Sequence, residues 1–187
     1  MSGRLSQQWS NEVFRRSLVA ALRGWNSSLS EGRPEQLRAA EQIKKIFNHV
    51  DNTAQASSET PEQTLNRLFD FPAHRLAVYG SLAPGKKNHH MMAGMEGSWR
   101  AAVLRGSLRN EGWGAGEGFP GFLWDGTHAA VAAQVFSSRD LPRHWQRLDE
   151  FEGDEYRRIL VPVEIEGGKI EICNVYALAE ELTADSH

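Results

Sequence analysis

The sequence predicts an α+β protein, an all-helical N-terminal extension followed by a β-barrel-like domain. Three observations predict it. Apolar residues recur at spacings of three and four up to about residue 70, the spacing changes toward two from Arg75 onward, and a single helical pattern interrupts the second half. At 187 residues the chain has the length of one domain, or of one domain with an appendage.

Trp9, Val13, Phe14, Leu18, Leu22, Trp25 and Leu29 form the apolar stripe of a first amphipathic helix. Glu31-Gly32-Arg33-Pro34 breaks it, and Pro34 suits the first turn of a second helix that runs to about Val50. Leu37, Ala40, Ile43, Phe47 and Val50 share one face of that helix. Residues 51–59 are small and polar and form a linker near 51–60. Thr60-Pro61-Glu62-Gln63 is a helix start, in which threonine caps, proline tolerates the first position and Gln63 reaches back to complete a capping box. The short helix ends near Asp70-Phe71-Pro72. Strands are expected over 75–79, 100–108, 121–124, 129–136, 157–165 and 170–178, with Glu166-Gly167-Gly168-Lys169 as the tight hairpin turn between the last two. A helix over 141–151 turns Trp145 and Leu148 inward. The expected division is a helical extension over 1–72, a barrel-like domain over 73–180 and a tail over 181–187.

With 40% hydrophobic and 24% charged residues the chain can build an ordinary core. A net charge of −3 and a pI near 6.2 provide no general attraction to nucleic acid or to an anionic membrane, and neither is expected as a partner. No apolar stretch approaches the roughly 20 residues of a membrane span. Trp9, Glu12, Arg15 and Arg16 interrupt any secretory-signal profile. The single cysteine, Cys173, excludes an internal disulfide, fits a reducing compartment and reads as an inert strand thiol. A cytoplasmic location is expected.

Several tempting motifs carry little. Residues 116–121 match the dinucleotide-binding glycine pattern, but Pro120 removes a backbone donor and a strand follows where a helix is needed. His89-His90 lacks a further ligand at a metal spacing, and Ser81 lacks a nucleophile-elbow sequence. No metal and no cofactor are expected. Two features stand out. Tyr79-Gly80-Ser81-Leu82 ends an apolar strand, and such a turn is either an ordinary strand-to-loop turn or a nest of backbone N–H groups for an anion or an oxyanion. In Leu148-Asp149-Glu150-Phe151-Glu152-Gly153, Glu152 sits where a helix stops. A carboxylate there, partly desolvated and near the negative helix end, has a raised pKa suited to a general base that later acts as an acid. Leu148 and Phe151 would supply its apolar surroundings.

In this order Val78-Tyr79-Gly80-Ser81-Leu82, Pro84-Gly85, Asn88-His89-His90, Gly118-Phe119-Pro120-Gly121, Leu148-Asp149, Phe151-Glu152-Gly153 and Tyr156-Arg157-Arg158 resemble the gamma-glutamylcyclotransferase-like family over about residues 76–178. The resemblance implies a mixed β-barrel with few helices that needs no metal or cofactor. It implies cleavage of a small-molecule gamma-glutamyl amide by cyclisation of the glutamyl group to 5-oxoproline, with release of an amine. The family's YGSL-type turn, which holds the glutamyl end of the substrate, carries over to Tyr79, Gly80, Ser81 and Leu82. Its catalytic glutamate carries over to Glu152, whereas Asp149 and Glu150 do not match, and Tyr156 and Tyr176 line the pocket.

The substrate of such a reaction brings its own nucleophile, so orientation supplies much of the rate. Glu152 would move the proton, and the turn would hold either the α-carboxylate or the oxyanion. The first seventy residues depart from the family's minimal domain. They pack on the barrel, form a homodimer or dock a protein partner, and a helix lying over the pocket could gate it. The alternative to an enzyme is a ligand-binding barrel whose extension docks a partner.

Overall fold

The structure, a computed structural model, describes residues 2–48, 59–125 and 128–179. Val50, the body of the linker and the tail over 181–187 lie outside the described residues. The extension consists of α1 (Ser2–Trp9), α2 (Glu12–Glu31), α3 (Arg33–Asn48) and α4 (Pro61–Phe69). The single first helix expected from the apolar stripe is therefore two. Asn11 separates them, its extended backbone and side-chain oxygen capping α2 by accepting from Phe14 N–H at 3.1 Å. Phe14, Leu18, Leu22 and Trp25 face inward as expected. Val13 (75% exposed) and Leu29 (46%) do not, because each lies one residue, about 100° of rotation, beyond the buried stripe that ends at Phe14 and Ser28. Leu37 is likewise exposed on α3, while Ala40 and Ile43 are buried. At α4 both arms of the capping box form, Gln63 N–H to Thr60 Oγ1 at 3.2 Å and Thr60 N–H to Gln63 Oε1 at 2.8 Å.

The second part is a closed five-stranded barrel in the order β1 (Arg75–Val78), β5 (Ala130–Ser137), β2 (Ser98–Arg105), β6 (Tyr156–Ile165), β7 (Lys169–Leu178). All neighbours are antiparallel except β1 and β7, whose parallel contact at Leu76 and Asn174 closes it. The strand expected over 100–108 breaks at Gly106, where a Cβ would stand 2.5 Å from the Leu123 carbonyl oxygen and from the Phe122 ring. The chain beyond it, β3 (Ser107–Arg109), pairs with β4 (Gly121–Leu123) as a separate two-stranded sheet. One helix, α5 (Leu141–Glu152), covers the barrel between β5 and β6.

β7 is buried nearly throughout because both of its faces are covered. Cys173, Val175 and Ala177 point into the barrel with Ala77, Leu104, Phe122, Val135, Val161 and Val163. Ile170 and Ile172 point outward with Leu160 into a core completed by Leu18, Leu22, Trp25, Ile43 and Phe69 of the extension. Tyr176 joins Leu76, Val78 and the α5 residues Leu141, Trp145 and Leu148. Burial pushes the Cys173 thiol up to about 12, which leaves it protonated and unreactive. Among the described residues no helix is long and apolar enough to cross a membrane.

The extension thus packs on its own barrel, and Trp25 is part of that core. Side-chain hydrogen bonds to the barrel backbone reinforce the contact. Asn26 accepts from Leu160 N–H at 2.8 Å and donates to Leu160 O at 2.9 Å, so one amide satisfies both backbone groups of a β6 residue. Ser6 Oγ accepts from Ile170 N–H at 3.0 Å. Asn26→Ala is expected to lower stability by about 2 kcal/mol, since part-buried backbone groups lose their partner. A denaturant melt checks this, and a midpoint equal to wild type would show that water replaces the amide without loss.

Candidate active site

The buried residues of α5 are Leu141, Trp145, Leu148 and Glu152, one stripe at helical spacing, so the helix period that buries the three apolar side chains buries the carboxylate as well. Gly153 ends the helix with φ 68, a conformation natural to glycine, and its N–H bonds the Asp149 carbonyl. Glu152 is therefore the last helical residue rather than the first beyond the helix. It is 9% exposed, and burial pushes its carboxyl up from 4.5 to about 7.

Its acidic neighbours have other partners. Asp149 binds Arg158 through two contacts, from Nε at 2.8 Å and Nη2 at 3.2 Å, and accepts from the Tyr176 hydroxyl at 2.7 Å. Arg158 also lies over the Trp145 ring at 4.4 Å. Glu150 accepts from Gln146 on the exposed side of the helix. Leu148 is buried beneath α5 with Leu141 and Trp145, and Phe151 packs edge-on against Trp113.

Glu152 and the Tyr79–Leu82 turn line one cavity. Leu76, Ala77 and Val78 continue its floor along β1, and Trp113, Gly114, Phe119, Pro120, Tyr156 and Tyr176 complete its walls. The turn is clamped from behind. Its carbonyls are occupied, Gly80 O by Ala83 N–H and Ser81 O by Asn88 N–H, while Leu82 O meets His89 Nδ1 at 2.9 Å. The N–H groups of Gly80, Ser81 and Leu82 donate to no backbone carbonyl among the described residues. His89 thus braces the turn. A Cβ at Gly80 would meet nothing closer than Phe119 Cβ at 4.0 Å, so the backbone there is open toward the cavity wall.

The four turn residues differ in what their side chains do. The Tyr79 hydroxyl donates to Tyr176 O at 2.9 Å and accepts from Phe122 N–H at 2.9 Å, so it ties β1 to β7 and β4. Burial raises its pKa well above the ordinary phenol range. Ser81 Oγ accepts from Asn88 Nδ2 at 3.0 Å in a buried pair. Leu82 is anchored in the core with Met92 and Leu148. Tyr156 reaches the cavity with its phenol raised by burial and by the Glu152 charge.

Sequence reasoning missed Trp113. Its Nε1–H donates to the Glu152 backbone oxygen at 3.1 Å, which ties the indole to the end of α5, and both residues line the cavity. A glycine on either side, in Glu111-Gly112-Trp113-Gly114, was the available signal. No residue of the extension lines the cavity among the described residues.

A family model described as gamma-glutamyl cyclotransferase, AIG2-like, matches residues 76–187. No curated protein matches the chain. Among solved structures it is similar to Bacillus subtilis YkqA, with 27% identity, a TM-score of 0.45 and coverage of 56% of this chain and 35% of that one. An aig2-like protein from Mus musculus shares 23% identity at a TM-score of 0.47, over 59% of this chain and 80% of that one. For an Arabidopsis thaliana protein the values are 22% and 0.44, over 61% and 74%. The chain therefore spans about a third of the length of YkqA.

Proposed function

We propose, on the premise that this chain belongs to the gamma-glutamyl cyclotransferase, AIG2-like family, that it cleaves a small gamma-glutamyl amide to 5-oxoproline and a free amine. One observation carries the reading. Glu152, whose carboxyl is poised at about 7 by burial, lines the same cavity as Gly80, Ser81 and Leu82.

The α-amine of the substrate attacks its own γ-carbonyl carbon, forming the ring C–N bond while the carbonyl π pair moves to oxygen. The Glu152 carboxylate takes the proton released by the attacking nitrogen. It returns that proton to the amide nitrogen as the tetrahedral intermediate collapses, the old C–N bond breaks and the amine departs. Backbone N–H groups of Gly80, Ser81 and Leu82 stabilise an anionic group of the substrate, either the α-carboxylate or the developing oxyanion. Because nucleophile and electrophile belong to one molecule, fixing its rotamer supplies much of the acceleration. These steps call for proton transfer and charge stabilisation, and the residues in the cavity supply both.

Packing of the extension on the barrel favours this reading over a binding module whose helices dock a partner, since the apolar face of those helices is already occupied. Incubation with a panel of gamma-glutamyl amines and gamma-glutamyl amino acids is expected to release 5-oxoproline and free amine in equal amounts from at least one member. No release across the panel would overturn the reading.

A further inference from the structure

The proton route above sets where the leaving amine must lie. Its nitrogen has to meet the Glu152 carboxyl, so its substituent has to leave the cavity close to that residue. Trp113 alone among the described residues lining the cavity is exposed, at 37%, and it stands at that place. The indole is held there by three features. Its N–H bonds the Glu152 carbonyl at 3.1 Å, its ring meets Phe151 edge-on at 5.3 Å and 87°, and its backbone enters from Gly112, whose φ of 86 only glycine adopts easily. A Cβ at Gly112 would lie 2.2 Å from the Tyr156 hydroxyl, so the approach of this segment to the cavity wall is close. Phe119 and Pro120 also line the cavity. A partly exposed indole fixed by its own hydrogen bond offers an apolar surface without a conformational cost on binding.

We propose that Trp113 forms the leaving-amine subsite and selects gamma-glutamyl amides whose amine carries an apolar, ring-sized substituent. This rests on the cyclotransferase reading above, because the position of the leaving nitrogen follows from it. The subsite adds a specificity determinant supplied by the segment between β3 and β4, and Trp113 takes no part in moving the proton.

The test compares gamma-glutamyl benzylamide with gamma-glutamyl methylamide. Turnover is measured with wild type, Trp113→Ala and Trp113→Phe, and binding is measured by calorimetry with Glu152→Gln alone and combined with Trp113→Ala. Thermal melts establish that each variant is folded. Wild type is expected to favour the benzylamide in kcat/KM by about tenfold or more. Trp113→Ala is expected to reduce that ratio to about twofold, and Trp113→Phe to retain most of it. Equal losses on both substrates, or a wild-type ratio near one, overturn the subsite while leaving the reaction standing. A benzylamide preference in binding that depends on Trp113, without turnover by wild type, shows an apolar ring site at Trp113 but overturns its role as a leaving-amine subsite together with the reaction. Neither binding nor turnover overturns both.

Discussion

Glu152→Gln is expected to keep the fold and to lose 5-oxoproline release by about 10²–10⁴-fold. The amide is nearly isosteric and fits the same buried position at the end of the α5 stripe, but it can neither accept the amine proton nor return it. The pH dependence gives a second check. Burial lifts the carboxyl from 4.5 to about 7, so kcat/KM of the wild type should rise with pH through a limb near 7 as the base form appears. Residual activity of the variant should lack that limb. Stability should move in the opposite sense to activity. Between about 4.5 and about 7 the folded chain retains a proton that the unfolded chain has lost, so the contribution of this group to stability falls as pH rises, and the loss is complete above the folded value. The variant escapes it and should be more stable than wild type at pH 8 by on the order of 3 kcal/mol. Equal activity of variant and wild type would remove Glu152 from the proton path. Equal stability at pH 8 would show that the buried carboxylate is compensated.

Removal of residues 1–72 is expected to prevent the barrel from folding as a stable, soluble unit. Leu160, Ile170 and Ile172 share their core with Leu18, Leu22, Trp25, Ile43 and Phe69, and without the helices they would face water. Exposing three such side chains costs on the order of 5 kcal/mol, which is comparable with the whole stability of a typical domain. Backbone partners go as well, with Asn26 lost from Leu160, Ser6 from Ile170, and the Phe69 and Pro72 carbonyls from Arg75 and Asn174. The fragment should therefore aggregate or show a broad, non-cooperative melt by circular dichroism. A soluble fragment from residue 73 that melts cooperatively near the full chain would establish the barrel as an independent domain and the extension as an appendage.

Local rules carried the reading wherever the governing contacts are close in sequence. The capping box at Thr60 and Gln63, the glycine turn before Lys169 and the helix stop at Gly153 depend on neighbouring residues, and all three form. The split between α1 and α2 was also local, since Ser10-Asn11 is a cap signal, but the continuous apolar stripe around it obscured the break. Gly106 could not be recognised as a breakpoint in the strand expected over 100–108, because what forces it is the approach of Leu123 and the Phe122 ring from a distant segment. The exposure of Val13, Leu29 and Leu37 has a similar origin. Periodicity marks an apolar side of a helix, and only its partner's outline decides how wide the buried stripe is.

At the candidate site the residue types were legible and the partnerships were not. Glu152 stood out from its sequence neighbours, and the fold separates the three acids physically, Asp149 to Arg158 and Tyr176, Glu150 to the surface and Glu152 to the cavity. The two hydrogen bonds of the Tyr79 hydroxyl, Trp113 on the Glu152 carbonyl and Asn26 on Leu160 join residues far apart in the chain. The sequence by itself determined the α+β class, the order of the elements and a carboxylate at a helix end near a glycine. Tertiary structure alone decided that Glu152 shares a cavity with Gly80, Ser81 and Leu82 and that the extension is part of the core, because desolvation and packing depend on which surfaces meet once the chain has closed.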